Sequence, residues 1–291
     1  MVDLLVERET FGHGGNQEVV RPFAARGDVE LLLVTPQMQS FESGKKAESG
    51  EVPLSEEDVP HWDDDFPFWQ STTVELEGRT VSFRRIVMPM IENDTEMLNW
   101  LDSITVDAVV CSGSRRNVSM WEDWMAPAAS LVRASANAGK PTLGICFGHQ
   151  LLCHALGATI ERAESLSSGI WDLNLTDEGG DDELLTSHVS DDSIVAGLFT
   201  HQDHVMSVPE SCSLLCSTNH NGVTAVRVLS ENGEPLPAWG IQFHPEAARA
   251  RIERAHEWGH ITDEELASFK GEHDGSSILS SFATVVHHYQ A

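Results

Sequence analysis

Three side chains in this sequence have the types and settings that nucleophilic acyl chemistry requires. Cys146 follows the short apolar run Pro141 to Ile145, which reads as a buried strand, and precedes Gly148 to Leu156, which reads as a helix with an apolar face. It is left on the connecting turn, bracketed by Gly144 and Gly148. A strand, a sharp turn and a helix in this order lift one side chain above the edge of a sheet. The helix N-terminus adds free N–H groups and partial positive charge, which favour a thiolate and a developing oxyanion. The alternative is a buried, inert cysteine, but simple packing would not require glycine on both sides. A thiol near its free pKa is mostly protonated at neutral pH and needs a base beside it. His244 is the candidate, because it ends the apolar strand Trp239 to Phe243 and Pro245 stiffens the rim after it. Glu246, two residues on, would hold the imidazole in one tautomer and stabilise the imidazolium. Alone, His244 reads equally as a surface residue before a helix, and Glu246 as a first-turn acid favoured by the helix dipole. With the cysteine turn, the three make a nucleophile, a base and an orienting group.

The elements around them must bring positions 146 and 244 to one edge. Glu30 to Thr35 is apolar enough for a central strand. Thr73 to Glu77 and Thr80 to Val87 alternate around Gly78 as a hairpin would. Glu92 to Leu101 predicts a helix, Ala108 to Cys111 a buried strand, and Trp121 to Asn137 a second helix. Ala158 to Ala163, Gly169 to Leu175 and Glu183 to Thr186 read as strands around an acidic turn at 177–182. Short strands follow at 204–208, 212–217, 223–229 and 238–243, then helices at 246–258, 262–270 and 276–288. The expectation is an α/β fold: a doubly wound, mostly parallel sheet with flanking helices, plus an antiparallel extension that carries the chain back to His244. Residues 1–28 are expected to be a flexible or loosely docked arm, 29–258 the main domain, and 259–291 a helical extension. Within the domain, 36–72 is polar and acidic, rich in Gly, Ser and Pro, with aromatics near its end. It reads first as a solvated insertion and second as a lid or partner surface.

Gly144-Ile-Cys-Phe-Gly-His-Gln150 resembles the nucleophile motif of class I, triad-type glutamine amidotransferases, and Ala238-Trp-Gly-Ile-Gln-Phe-His-Pro-Glu246 resembles the motif that carries their histidine and glutamate. The two lie in the right order, about a hundred residues apart. The resemblance implies a flavodoxin-like, class I amidotransferase fold and a Cys146, His244, Glu246 triad that releases ammonia from the γ-amide of L-glutamine through a γ-glutamyl thioester. It implies an oxyanion hole formed by the backbone of Phe147 and of Ser114 or Gly113, with Ser114-Arg115 standing where many members have Gly-Pro. It also implies that Gln150 and the segment Thr200, His201, Gln202 hold the substrate's amino-acid end, with Gln202 in place of the usual glycine. The segment Asn117 to Trp124 is similar to stand-alone members related to the amidotransferase half of GMP synthetase. The implied partner is a separate synthase subunit that accepts ammonia. A γ-glutamyl peptidase on the same fold, or a binding module without turnover, are the alternatives.

Composition bounds the rest. Net charge is −28, with 46 acidic against 18 basic residues, which argues against a nucleic-acid partner. Acidity spread along the chain fits a protein kept soluble by self-repulsion in concentrated salt, as in a halophile. The five cysteines show no metal or disulfide spacing, and the scattered histidines suggest no metal site. Neither metal nor cofactor is expected. No signal-like N-terminus or membrane-length apolar run is visible, so a cytoplasmic protein with reduced thiols is expected.

Overall fold

The computed structural model describes residues 1–2, 16–36, 72–114, 116–186, 195–247, 249–257 and 262–290. The insertion expected at 36–72 lies outside them except for its two end residues, as do the Gly12–Gly15 run and Arg115. Helix α1 (Asn16–Ala24) leads into β1 (Val29–Thr35), a strand buried over its last five residues. The expected hairpin is present as β2 (Thr72–Leu76) and β3 (Arg79–Val87), paired antiparallel. Its two turn residues, Glu77 and Gly78, both have positive φ, the twist that suits a two-residue hairpin. Helix α2 (Asp94–Ser103) starts where the Asn93 side chain accepts the N–H of Glu96. Then come β4 (Val109–Cys111), α3 (Met125–Asn137), β5 (Thr142–Ile145) and α4 (Phe147–Ala155).

The second half is strand-rich. It comprises β6 (Ile160–Asp172), β7 (Asn174–Leu175), the short helices α5 (Asp177–Gly180) and α6 (Glu183–Thr186), β8 (Ala196–Val205), β9 (Cys212–Ser217), β10 (Ala225–Leu229) and β11 (Pro235–Ile241). Helices α7 (Arg249–Glu257), α8 (Asp263–Ser268) and α9 (Gly275–Gln290) close the chain. The central sheet runs β4-β5-β11-β10-β9-β7. β5 is parallel to both β4 and β11, whereas β10, β9 and β7 form the antiparallel extension. β1, β3 and β2 continue it on the other side, joined through Val2, which bridges β1 and β4 in parallel. One face carries α2, α3 and α4 over a core that includes Met97, Leu131 and Phe147. The other carries α6 and α9 over Leu184, Trp239 and Phe282. The fold is therefore the doubly wound α/β architecture expected.

Two expectations are corrected. Glu183 to Thr186 is a helical turn, not a strand. Asp182 caps it by accepting the N–H of Leu184, and is itself pinned by Arg227 and the Trp239 indole. Leu184 and Leu185 are buried, and a short apolar run does not tell strand from helix. The N-terminal residues are not loosely docked where they are described: Met1 and Val2 lie in the sheet, and α1 packs on α9, with Phe23 edge-on to Phe282.

Candidate active site

Strand register brings the candidate residues together. Cys111 stands opposite Gly144, and Ile145 opposite Ile241. Cys146 thus leaves the carboxyl edge of the sheet between the chain following β4, which starts Ser112-Gly113-Ser114, and the chain following β11, which reaches His244. Its N–H donates to Ile241 O at 2.8 Å, and its carbonyl accepts the N–H of Gln150 at 3.0 Å. The turn is tight: Cys146 has φ +51° and ψ −100°, a region costing about 1–3 kcal/mol for a residue with a side chain. Glycine on both sides is a steric necessity. A Cβ on Gly148 would lie 2.2 Å from Cys111 O, and one on Gly144 would lie 2.5 Å from Gly148 O. The helix therefore starts directly over the strand ends, with its first N–H groups beside the sulfur.

His244 and Glu246 form the other wall. His244 Nδ1 lies 2.8 Å from Glu246 Oε1, and both side chains are largely buried. A Cβ on Gly113 would sit 2.8 Å from His244 Cε1 and 3.8 Å from Cys146 Cβ, so the backbone of Gly113 touches both groups. Burial pulls the His244 pKa down, but the negative charge on Cys146 and the Glu246 carboxylate more than offset it and push the pKa up to about 10. Nε2 is buried and forms no hydrogen bond of good geometry with the sulfur, although Cys146 acts strongly on the ring. We take the coupling here as chiefly one of charge, since such contacts commonly tighten only once substrate is bound. The sulfur also lies 3.9 Å from Thr200 O. The other four cysteines are buried thiols whose pKa values burial pushes up.

The remaining candidates divide. Phe147 is fully buried, its ring stacked on Trp124 at 5.7 Å. Ser114 Oγ accepts the N–H of Arg116 at 3.0 Å. The Gln150 amide nitrogen donates to Asp203 O at 2.9 Å and to Gln242 Oε1 at 3.1 Å, tying α4 to β8 and to the chain leaving β11. Thr200, His201 and Gln202 lie within β8, which pairs with β6 in a two-stranded ribbon. Gln202 is tied to β6: its Oε1 accepts from Arg162 at 2.7 Å and its Nε2 donates to Ala163 O at 2.9 Å. His201 is 4% exposed, and neither ring nitrogen has a hydrogen-bond partner. Burial, then the neighbouring His204, His244 and His149, pull its pKa down to about 3.

Sequence reasoning missed two buried polar residues of this region, Gln242 and Asp203. The Asp203 carboxylate accepts both the N–H and the hydroxyl of Ser119 at 2.7 Å, tying β8 to the loop after Ser114. A glutamine inside the apolar run Trp239 to Phe243 was the available signal for the first. Among the described residues no group of three metal-ligating side chains occurs, and no helix is long and apolar enough to cross a membrane.

Residues 72–255 match the sequence profile of glutamine amidotransferase class-I. The chain belongs to that family. Similar class-I relatives include the glutamine-hydrolysing GMP synthase of Marinobacter nauticus, 33% identical over 110 residues. That match covers 37% of this chain but only 20% of the synthase, so the chain corresponds to about a fifth of that protein. Gamma-glutamyl peptidase 5 of Arabidopsis thaliana is 34% identical over 143 residues, 48% of this chain and 53% of the peptidase. A glutamine amidotransferase structure from Thermotoga maritima superposes with a TM-score of 0.53 at 14% identity, covering 89% of this chain and 97% of that one, and shares the fold.

Proposed function

We propose that this amidotransferase-family chain hydrolyses the γ-amide of L-glutamine through a γ-glutamyl thioester on Cys146. The observation that carries the proposal is the meeting of Cys146, on its strained turn, with an imidazole whose far nitrogen is held by Glu246. The imidazole takes the thiol proton and the thiolate attacks the amide carbon. The oxygen that becomes negative is stabilised by the N–H groups of Phe147 and of Gly113 or Ser114, in the manner of an oxyanion hole. His244, now protonated, gives its proton to the departing nitrogen, and ammonia leaves. Water then attacks the thioester, with His244 as base, releasing glutamate and the thiol. A pKa raised to about 10 keeps His244 protonated at neutral pH, ready for the leaving-group step.

His201 is the strongest candidate for a substrate contact in β8. Held neutral, it offers one donor and one acceptor, both without protein partners. Gln150 and Gln202 act on the substrate chiefly by fixing the elements around it. The Marinobacter relative is a glutamine-hydrolysing synthase, and the matched region is a small part of it. A separate synthase unit is therefore the proposed acceptor of ammonia.

The test is ammonia release from glutamine by the purified protein, in buffer and in molar salt. The strong net negative charge predicts that activity and folding improve with salt. A second reading, cleavage of γ-glutamyl bonds in small peptides, is favoured by the tethering of Gln202 to β6 and by the similarity to the Arabidopsis peptidase. Faster cleavage of γ-glutamyl dipeptides than of glutamine would establish it.

A further inference from the structure

A one-residue strand at the start of the chain holds one wall of the site in place. Val2 is bridged in parallel to Val34 of β1 on one side and to Cys111 of β4 on the other. Its N–H donates to Val110 O at 2.7 Å, its carbonyl accepts the N–H of Ser112 at 3.2 Å, and Met1 O accepts the N–H of Val34 at 2.8 Å. The side chain is 1% exposed, in the same core as Cys111 and Phe147. β4 is three residues long, and its pairing with β5 ends at Cys111 opposite Gly144. Past that point the neighbouring chain turns away into the elbow. Ser112 is therefore held on the opposite side, by Val2, and Ser112 directly precedes the Gly113 backbone that touches Cys146 and His244. Without Val2, β1 and β4 would stand two strand spacings apart, each about 4.8 Å, with nothing paired between them.

We propose that Val2 is a positioning residue for the oxyanion loop: its backbone clamps Ser112 and thereby sets where Gly113 and Ser114 stand against the nucleophile. The inference rests on the assignment of Gly113 or Ser114 as a donor. A misplacement of about 1 Å in such a group can cost on the order of a hundredfold in rate.

The test compares Val2→Pro with Val34→Ala, a change in the adjacent strand that trims the same core and leaves the backbone pairing intact. Proline removes the N–H that bonds Val110 and disrupts an interior strand. Turnover of glutamine is measured beside the rate at which iodoacetamide alkylates Cys146, which needs the thiolate but not the oxyanion donors. For Val2→Pro we expect kcat to fall about a hundredfold, with KM and alkylation rate little changed. Ser112→Pro breaks the same clamp from the other side, should give the same split, and serves where Val2→Pro does not fold. A folded clamp variant with kcat within about threefold of the parent would overturn the inference. So would Val34→Ala losing as much turnover as Val2→Pro at a matched loss of melting temperature. Gly113→Ala separates the two readings. If it turns over normally, the donor assignment itself fails; if it is inactive while the clamp variants are active, only the role of Val2 fails.

Discussion

His244 and His201 are both buried beside the same sulfur-bearing turn, yet burial leaves them with opposite proton affinities. At His201 nothing compensates the lost solvation, and the ring is neutral with a pKa near 3. At His244 the same loss is overcome by Cys146 and Glu246, and the pKa rises to about 10. Burial alone makes a histidine a neutral hydrogen-bonding group, whereas burial between two anions makes it a stored proton. One fold thus offers a neutral imidazole for recognition and a charged one for proton transfer, a few residues of chain from one another in space.

The contrast breaks most completely if Cys146 is removed. Cys146→Ala should lower ammonia release by about 10⁴-fold or more, abolish labelling by a glutamine-like electrophile, and bring the His244 titration, followed by imidazole NMR, well below 10. Activity retained in this variant would end the thioester mechanism. Glu246→Gln removes the second anion but keeps the shape. Turnover should fall about 10³-fold, with a lowered His244 pKa. A pKa unmoved by this change would mean that the carboxylate does not act on the ring.

Much of this contrast could be read in the sequence, because the catalytic side depends on local geometry. Gly144 and Gly148 announce a turn on which helix and strand backbones nearly touch, and Pro245 marks a rim. The β2–β3 hairpin was legible from alternation around Gly78. What stayed hidden depends on tertiary contact. Val2 is a strand of one residue, with no periodicity to detect. Leu184 and Leu185 look like a strand until Asp182, fixed by Arg227 and Trp239, caps them as a helix. That His201 lacks partners, and that Gln150 spends its amide on Asp203 and Gln242, cannot be inferred from a list of residue types.

The recognition side sharpens under a substitution that keeps the ring shape. His201→Phe removes two buried polar atoms that have no partner in the protein, so the melting temperature should hold or rise, since unsatisfied buried groups are costly. If those atoms serve substrate, KM for glutamine should rise about tenfold with a smaller change in kcat. An unchanged KM would return His201 to a purely structural role.

The smallest effect lies in stability against pH, where the two histidines act with opposite sign. The folded pKa of His244 is raised, so its contribution is complete below the unfolded value of about 6.5 and is lost as pH rises through about 10. The folded pKa of His201 is lowered, so its effect is neutral above about 6.5 and stability is lost as pH falls toward 3, because only the unfolded ring gains a proton there. Each slope is at most about 1.4 kcal/mol per pH unit. Chemical denaturation across this range should show both limbs. His201→Phe should flatten only the acid limb, and Cys146→Ala only the alkaline one. A single substitution that flattened both would mean that the two rings titrate as one coupled group rather than in separate environments.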